Sequence, residues 1–114
     1  MIQQGFKKQT DTPFQRAELY YTVLSVINGF NLTTREIQLV AFTAVKGNMT
    51  NGNVRNEFCE LYGTSVSTIN NIISKLKNFG IFVKEDSKTR VNKDIVLDFS
   101  NDIQLIISLT QSEE

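Results

Sequence analysis

The chain has 114 residues, 40% of them hydrophobic and 21% charged, the composition of one globular domain with room for a single core. It has no histidine and one cysteine, Cys59, which excludes the usual zinc ligand sets, an intramolecular disulfide and the commonest general acid and base. No Walker-type or dinucleotide-binding glycine pattern occurs and no apolar run reaches the length of a membrane span, so the expectation is a protein that is not an enzyme, with no cofactor, no metal and no membrane segment.

Residues 1–11 are polar and lysine-bearing with no apolar run behind them, and they read as a flexible N-terminal arm rather than a secretory signal. Thr12, Pro13 and Gln15 then combine a hydroxyl cap, a proline at the first helical position and a capping-box partner. They predict a first helix that stops at Asn28-Gly29. Its apolar residues, from Phe14 through Ala17, Leu19, Tyr20, Tyr21, Val23, Leu24, Val26 and Ile27, cover most of the circumference, so burial on more than one side is expected. Thr33 and Glu36 form a second capping box, followed by Ile37, Val40, Ala41, Ala44 and Val45 on one face. The stretch Lys46 to Asn53, "KGNMTNGN", is rich in glycine and asparagine and reads as a loop. A phosphate-binding nest is the weaker reading there, because no lysine-serine pair follows it.

A short helix from Asn53 through Phe58 and Tyr62 ends at Gly63, and a longer one runs from about Ser65 to Phe79 and ends at Gly80. Phe82 to Lys84 reads as a strand, "EDSKT" as a polar turn and "RVNKDIVLDF" as a second strand in which Ile95, Leu97 and Phe99 alternate with Asp94, Val96 and Asp98. The run Ile103, Leu105, Ile107, Leu109 again keeps period two and is read as one further strand, although Ile103, Ile106 and Ile107 would also suit a helix. Residues 111–114 are expected to form a disordered tail.

The segment Gly63 to Phe82 concentrates the signals that bear on function. Ile69, Ile72, Ile73 and Leu76 fall on one helical face, which leaves Val66, Ser67, Asn70, Asn71, Ser74 and Lys75 on the other. Short hydrogen-bonding side chains with one small apolar group suit the major groove, where asparagine can bond adenine at two points and an apolar group can touch a thymine methyl. The helix has no arginine, the side chain that most often reads guanine, so a preference for A·T-containing sites is expected. The plainer reading is that Asn and Ser keep a solvent face wet.

Cys59 as the small residue four before Gly63, then Ser65, Thr68, Ile69, Ile72, Leu76, Gly80 and Ile81, resemble the helix-turn-helix and the start of the wing in GntR-like and MarR-like winged-helix regulators. The likeness covers about a quarter of the chain. "LTTRE", Leu32 to Glu36, also looks like the opening of a LuxR-type or sigma-type helix-turn-helix. The chain departs from the first pattern at Tyr62, often leucine in that family, at Thr64, usually aliphatic, and in carrying few cations on the recognition helix. The resemblance implies a fold that is mainly α with a small β part, a winged helix-turn-helix of three or four helices plus a C-terminal β-hairpin wing spanning Phe82 to about Leu97. It also implies a single winged-helix domain over residues 12–110, a homodimer, and double-stranded DNA as partner. Ser65, Val66, Ser67, Asn70, Asn71 and Ser74 would face base edges, and Thr68, Lys75, Lys77, Lys84, Lys88, Arg90 and Lys93 the phosphates.

The charge distribution agrees with that assignment although the formal sum is zero. Residues 64–93 hold six cations against Glu85 and Asp86, a net +4, whereas residues 94–114 hold five carboxylates and no cation. The only basic segment is therefore the one that would meet DNA. A different reading keeps the fold and drops the DNA: a winged-helix protein adaptor or small structural component, for instance of a phage-type assembly, which the zero net charge and the aliphatic period-two C-terminus favour. The aromatics Phe14, Tyr20, Phe30 and Phe42 read as core rather than an effector pocket, and Cys59 as a packing residue rather than a redox sensor. The lone cysteine and the polar start of the chain predict a cytoplasmic location.

Overall fold

The computed structural model describes residues 2–5, 12–102 and 106–109. Four helices, α1 (Pro13–Asn28), α2 (Thr34–Lys46), α3 (Gly52–Tyr62) and α4 (Val66–Asn78), precede an antiparallel hairpin of β2 (Phe82–Glu85) and β3 (Lys88–Val91). We number the N-terminal strand β1 (Ile2–Gly5) and the C-terminal one β4 (Ile106–Leu109); they pair antiparallel as a separate two-stranded ribbon. The protein is thus mainly helical with a small hairpin after the helices, an arrangement compatible with a winged helix. Of the expected arm, Ile2–Gly5 form β1; residues 6–11, 103–105 and the tail 111–114 lie outside the described residues. Among the described residues no helix is long and apolar enough to cross a membrane.

The helix boundaries follow from local chemistry. Both capping boxes form: the Thr12 hydroxyl accepts the Gln15 N–H while Gln15 accepts the Thr12 N–H, and Thr33 and Glu36 repeat the exchange. α3 and α4 meet at Gly63, whose φ of 64° lies in the left-handed region. The chain can therefore reverse there while the Gly63 and Thr64 N–H groups both return to the Cys59 carbonyl. Ser65 then caps α4 by accepting the Thr68 N–H.

One core joins these elements. Phe42, wholly buried on α2, stacks on Phe14 of α1 and meets Phe58 of α3 edge-on, while Ile69, Ile72, Ile73 and Leu76 line the buried side of α4. Ile81, Phe82 and Val91 bring the hairpin into the same core. The loop before α3 does more than connect. Met49 is fully buried, its N–H donates to the Thr89 carbonyl at 2.9 Å, and the Thr89 N–H donates to the Thr50 hydroxyl at 2.7 Å. Residues 49–50 therefore cover the edge of β3 that β2 does not, and that edge would otherwise carry unpaired backbone groups.

Three expectations are corrected. The second strand is four residues, Lys88–Val91, because Asp86 and Ser87 both take positive φ (51° and 63°) and close a two-residue hairpin turn. That geometry matches the strand twist and brings Lys88 opposite Glu85. After Val91 the Asn92 side chain accepts the Asp94 N–H and starts a 3-10 turn, Lys93–Ile95, so the wing ends well before Leu97. The alternation of Ile95, Leu97 and Phe99 is not a strand: Phe99 is buried against the Tyr20 and Tyr21 rings, while Leu97 is exposed. Finally, the apolar residues of α1 are not all covered. Ala17, Tyr21 and Ser25 face the core, whereas Val26 and Ile27 stay 77% and 64% exposed.

Candidate nucleic-acid interface

The outward face of α4 is set by the burial of its other face. Once Ile69, Ile72, Ile73 and Leu76 turn inward, helical geometry leaves Val66, Ser67, Asn70, Asn71 and Ser74 exposed, together with Ser65 at the cap and Thr68 in the first turn. All six residues expected to face bases are thus on the solvent side. Ser65 also has a structural duty: its oxygen accepts the Thr68 N–H and lies 3.1 Å from the Thr68 hydroxyl, so both hydroxyls are engaged at the cap. Ser67, Asn71 and Ser74 have no such commitment among the described hydrogen bonds.

The cations expected at phosphates separate into groups. Lys77 is exposed in the last turn of α4, where a positive charge also complements the helix dipole. On the hairpin, side chains alternate between faces. Thr89 and Val91 point to the core, so Lys88 and Arg90 share the opposite face with their cross-strand partners Glu85 and Val83. Lys84 lies opposite Thr89 and projects from the other face near the tip. Arg90 is half-buried, and its Nε is buried without a hydrogen-bond partner among the described residues. Lys93 is exposed beyond the wing, on the 3-10 turn.

Lys75 stands apart from the other five. Its ammonium lies 2.8 Å from Glu36, whose side chain is only 7% exposed, and 5.9 Å above the Phe79 ring. Burial opposes ionisation of Glu36. Hydrogen bonds from Lys75 and the Thr33 N–H, with the Lys75 charge, outweigh it and hold the carboxyl below its ordinary value. The same carboxylate thus closes the capping box of α2 and ties α2 to the last turns of α4. Lys75 is a strut between helices, and the cations of this set without an ion pair among the described residues are Lys77, Lys84, Lys88, Arg90 and Lys93.

One residue of this surface was missed in the sequence. Arg55, on α3, donates through Nη1 to Asn70 Oδ1 at 2.6 Å and through Nε to the Met49 carbonyl at 2.7 Å. It connects the edge segment beside β3, the first turns of α3 and the exposed face of α4. Its sequence surroundings, "GNVRNEF", carry no motif. The signal available was the absence of an arginine on α4, which leaves neighbouring elements to supply one.

The other readings of this region also find their places. Cys59 is half-buried against the core, as a small packing residue would be. Tyr62 packs on Phe58 with ring centres 4.6 Å apart, lies beneath the Arg35 guanidinium and donates to Glu18 at 3.4 Å, so the departure from leucine is absorbed by an aromatic cluster. The glycine-asparagine loop holds Asn51, which caps α3 by accepting the Asn53 N–H. Comparison with protein-family models, with curated proteins and with solved structures finds no match.

Proposed function

We propose that this chain is a small winged-helix DNA-binding protein, a transcriptional regulator similar to the GntR-like and MarR-like families, that reads the major groove with α4. The observation that carries the reading is the composition of the α4 outer face. A tightly capped helix presents Ser67, Asn70, Asn71, Ser74 and Val66 to solvent, and a basic hairpin follows immediately in the chain. Five cations with no ion pair among the described residues, Lys77, Lys84, Lys88, Arg90 and Lys93, belong to this half of the fold. Regulators of this architecture read paired half-sites, so a dimer is part of the proposal.

The test is fluorescence anisotropy on mixed-sequence duplex DNA over a salt series, with light scattering on the same sample. If three to five of these cations reach phosphates, the log–log salt slope is about −3 to −5. Lys88→Ala then weakens all duplexes alike and flattens the slope by about one, whereas Asn70→Ala lowers discrimination between sites. Equal effects of both variants on both quantities would contradict the assignment. The exposed Val26, Ile27 and Leu61, with the zero net charge, favour a second reading in which the same fold docks a protein. That reading predicts no DNA binding even at low salt.

A further inference from the structure

Asn70 and Arg55 together change what the α4 face is able to read. Arginine carries five N–H donors and no acceptor, so the atom of the Asn70 amide that faces it must be the oxygen; the alternative flip would oppose two donors. The amide's other end, Nδ2, is then the one left for a partner, and it is a donor. The guanidinium is fixed at Nε by the Met49 carbonyl and at Nη1 by Asn70. About three of its N–H bonds, from Nη1 and Nη2, remain beside the same exposed stripe. The pair therefore offers mainly hydrogen-bond donors, against the one lone pair of Oδ1 that Arg55 does not occupy.

A free asparagine on a recognition helix favours adenine, because its oxygen accepts from N6 while its nitrogen donates to N7. Here that oxygen already accepts a charge-assisted bond from Arg55, a stronger bond than an exocyclic amine would supply. What best complements a pair so rich in donors is an edge with two acceptors, and in the major groove that edge is guanine, with O6 and N7. Resting on the DNA-binding reading above, we infer that Arg55 and Asn70 form one composite specificity element selecting a guanine. Arg55 supplies from α3 the arginine that α4 lacks, and it turns the expected A·T preference of this position to G·C. The shared chemistry, a pair of acceptors, is also that of a phosphate, and the experiment separates the two.

Binding sites are selected from a random duplex library with the unaltered protein, Arg55→Lys and Asn70→Asp, and affinities are measured for the selected site and for the same site with each guanine replaced. Arg55→Lys keeps the charge and loses the planar fork. Asn70→Asp keeps the partner for Arg55 and puts acceptors where the amide donor was. The expected result is one guanine per half-site whose replacement weakens binding by the unaltered protein about 5- to 100-fold, a ratio that falls towards one in both variants. The fold is checked by comparing the far-ultraviolet circular dichroism of the three proteins. Selected sites without a common guanine, or a preference that survives both substitutions, would overturn the inference while leaving the DNA-binding reading standing. Uniform weakening by Arg55→Lys on every duplex would overturn it in favour of a phosphate contact. Failure of the unaltered protein to bind any duplex at low salt would sink both, and is told apart by the first measurement.

Discussion

Replacing Lys75 with methionine removes the ammonium and keeps most of the aliphatic stem, so it isolates the electrostatic part of the α2–α4 strut. At 2.8 Å the attraction to Glu36 is about 6 kcal/mol with an effective dielectric of ~20, before the cost of taking the carboxylate out of water is set against it. Glu36 is nearly buried but the Lys75 side chain is 45% exposed, so solvent screens the pair from one side and the net effect falls below that of a fully buried pair. We expect Lys75→Met to destabilise the fold by about 2 kcal/mol at pH 7, mostly because Glu36 is left buried with its charge unpaired and only the Thr33 backbone and side chain to bond it. For a domain of this size that lowers Tm by roughly 8 °C.

The pH dependence gives that prediction its second arm. Glu36 titrates below its ordinary value in the folded protein, so its contribution is present above the usual carboxylate range of about 4.3 and is lost as pH falls through the lowered folded value. The gap between the unaltered protein and Lys75→Met, followed by thermal melts at 222 nm, should be full at pH 7 and narrow below about pH 4. A gap under about 0.5 kcal/mol at neutral pH, or one that stays constant down to pH 3, would refute the strut. A matching loss in DNA affinity with no change in stability would instead return Lys75 to the phosphate-contact set.

The Tyr21 hydroxyl donates to the Ile95 carbonyl at 2.7 Å from a buried position, so Tyr21→Phe should cost about 1–2 kcal/mol in denaturant unfolding. Burial pushes Tyr20, Tyr21 and Tyr62 all upward, most strongly Tyr21, with neighbouring Tyr20 and Glu18 adding to Tyr21 and Tyr62 respectively. Because the unfolded chain ionises first, the stability held by these tyrosines is present below pH ~10 and lost as pH rises above it, which a spectrophotometric titration alongside circular dichroism will record. Thr50→Val removes the acceptor for the Thr89 N–H while leaving Met49 in place; hydrogen exchange at Thr89 should accelerate, at a cost to stability of about 1–2 kcal/mol. Two glycines with open surroundings should respond with opposite sign. Gly80→Ala, at φ 76°, loses about 1–2 kcal/mol from the left-handed backbone, whereas Gly52→Ala, at an ordinary helical φ, gains up to about 1 kcal/mol, and urea midpoints distinguish them.

Much of this molecule is decided within three or four residues of chain. Thr12 with Gln15, Thr33 with Glu36 and Ser65 with Thr68 are cap contacts at a separation of three, and Gly29 and Gly63 stop helices because only their own backbone has to turn. The four helices and the outward face of α4 were therefore legible, since a helix whose inner face is Ile69, Ile72, Ile73 and Leu76 has one other side to show. The hairpin was legible in kind but not in extent. Alternation of apolar residues beyond Val91 mimics a strand, but the Asn92 cap turns the chain into a 3-10 turn and Phe99 is seated against Tyr20 and Tyr21.

What tertiary structure alone decided are the contacts between side chains far apart in sequence. Val26 and Ile27 are as apolar as their neighbours, yet nothing among the described residues covers them. Lys75 sits beside the residues of a binding face, but Glu36, 39 positions earlier, claims its charge. Arg55 belongs to no motif, and becomes part of the α4 surface because the α3–α4 turn brings Asn70 within 2.6 Å of it. Local sequence determines which elements form and which way each helix faces, because capping and periodicity are short-range effects. Which cation is spent on the fold and which is left for a partner depends on distances that exist only once those elements have packed.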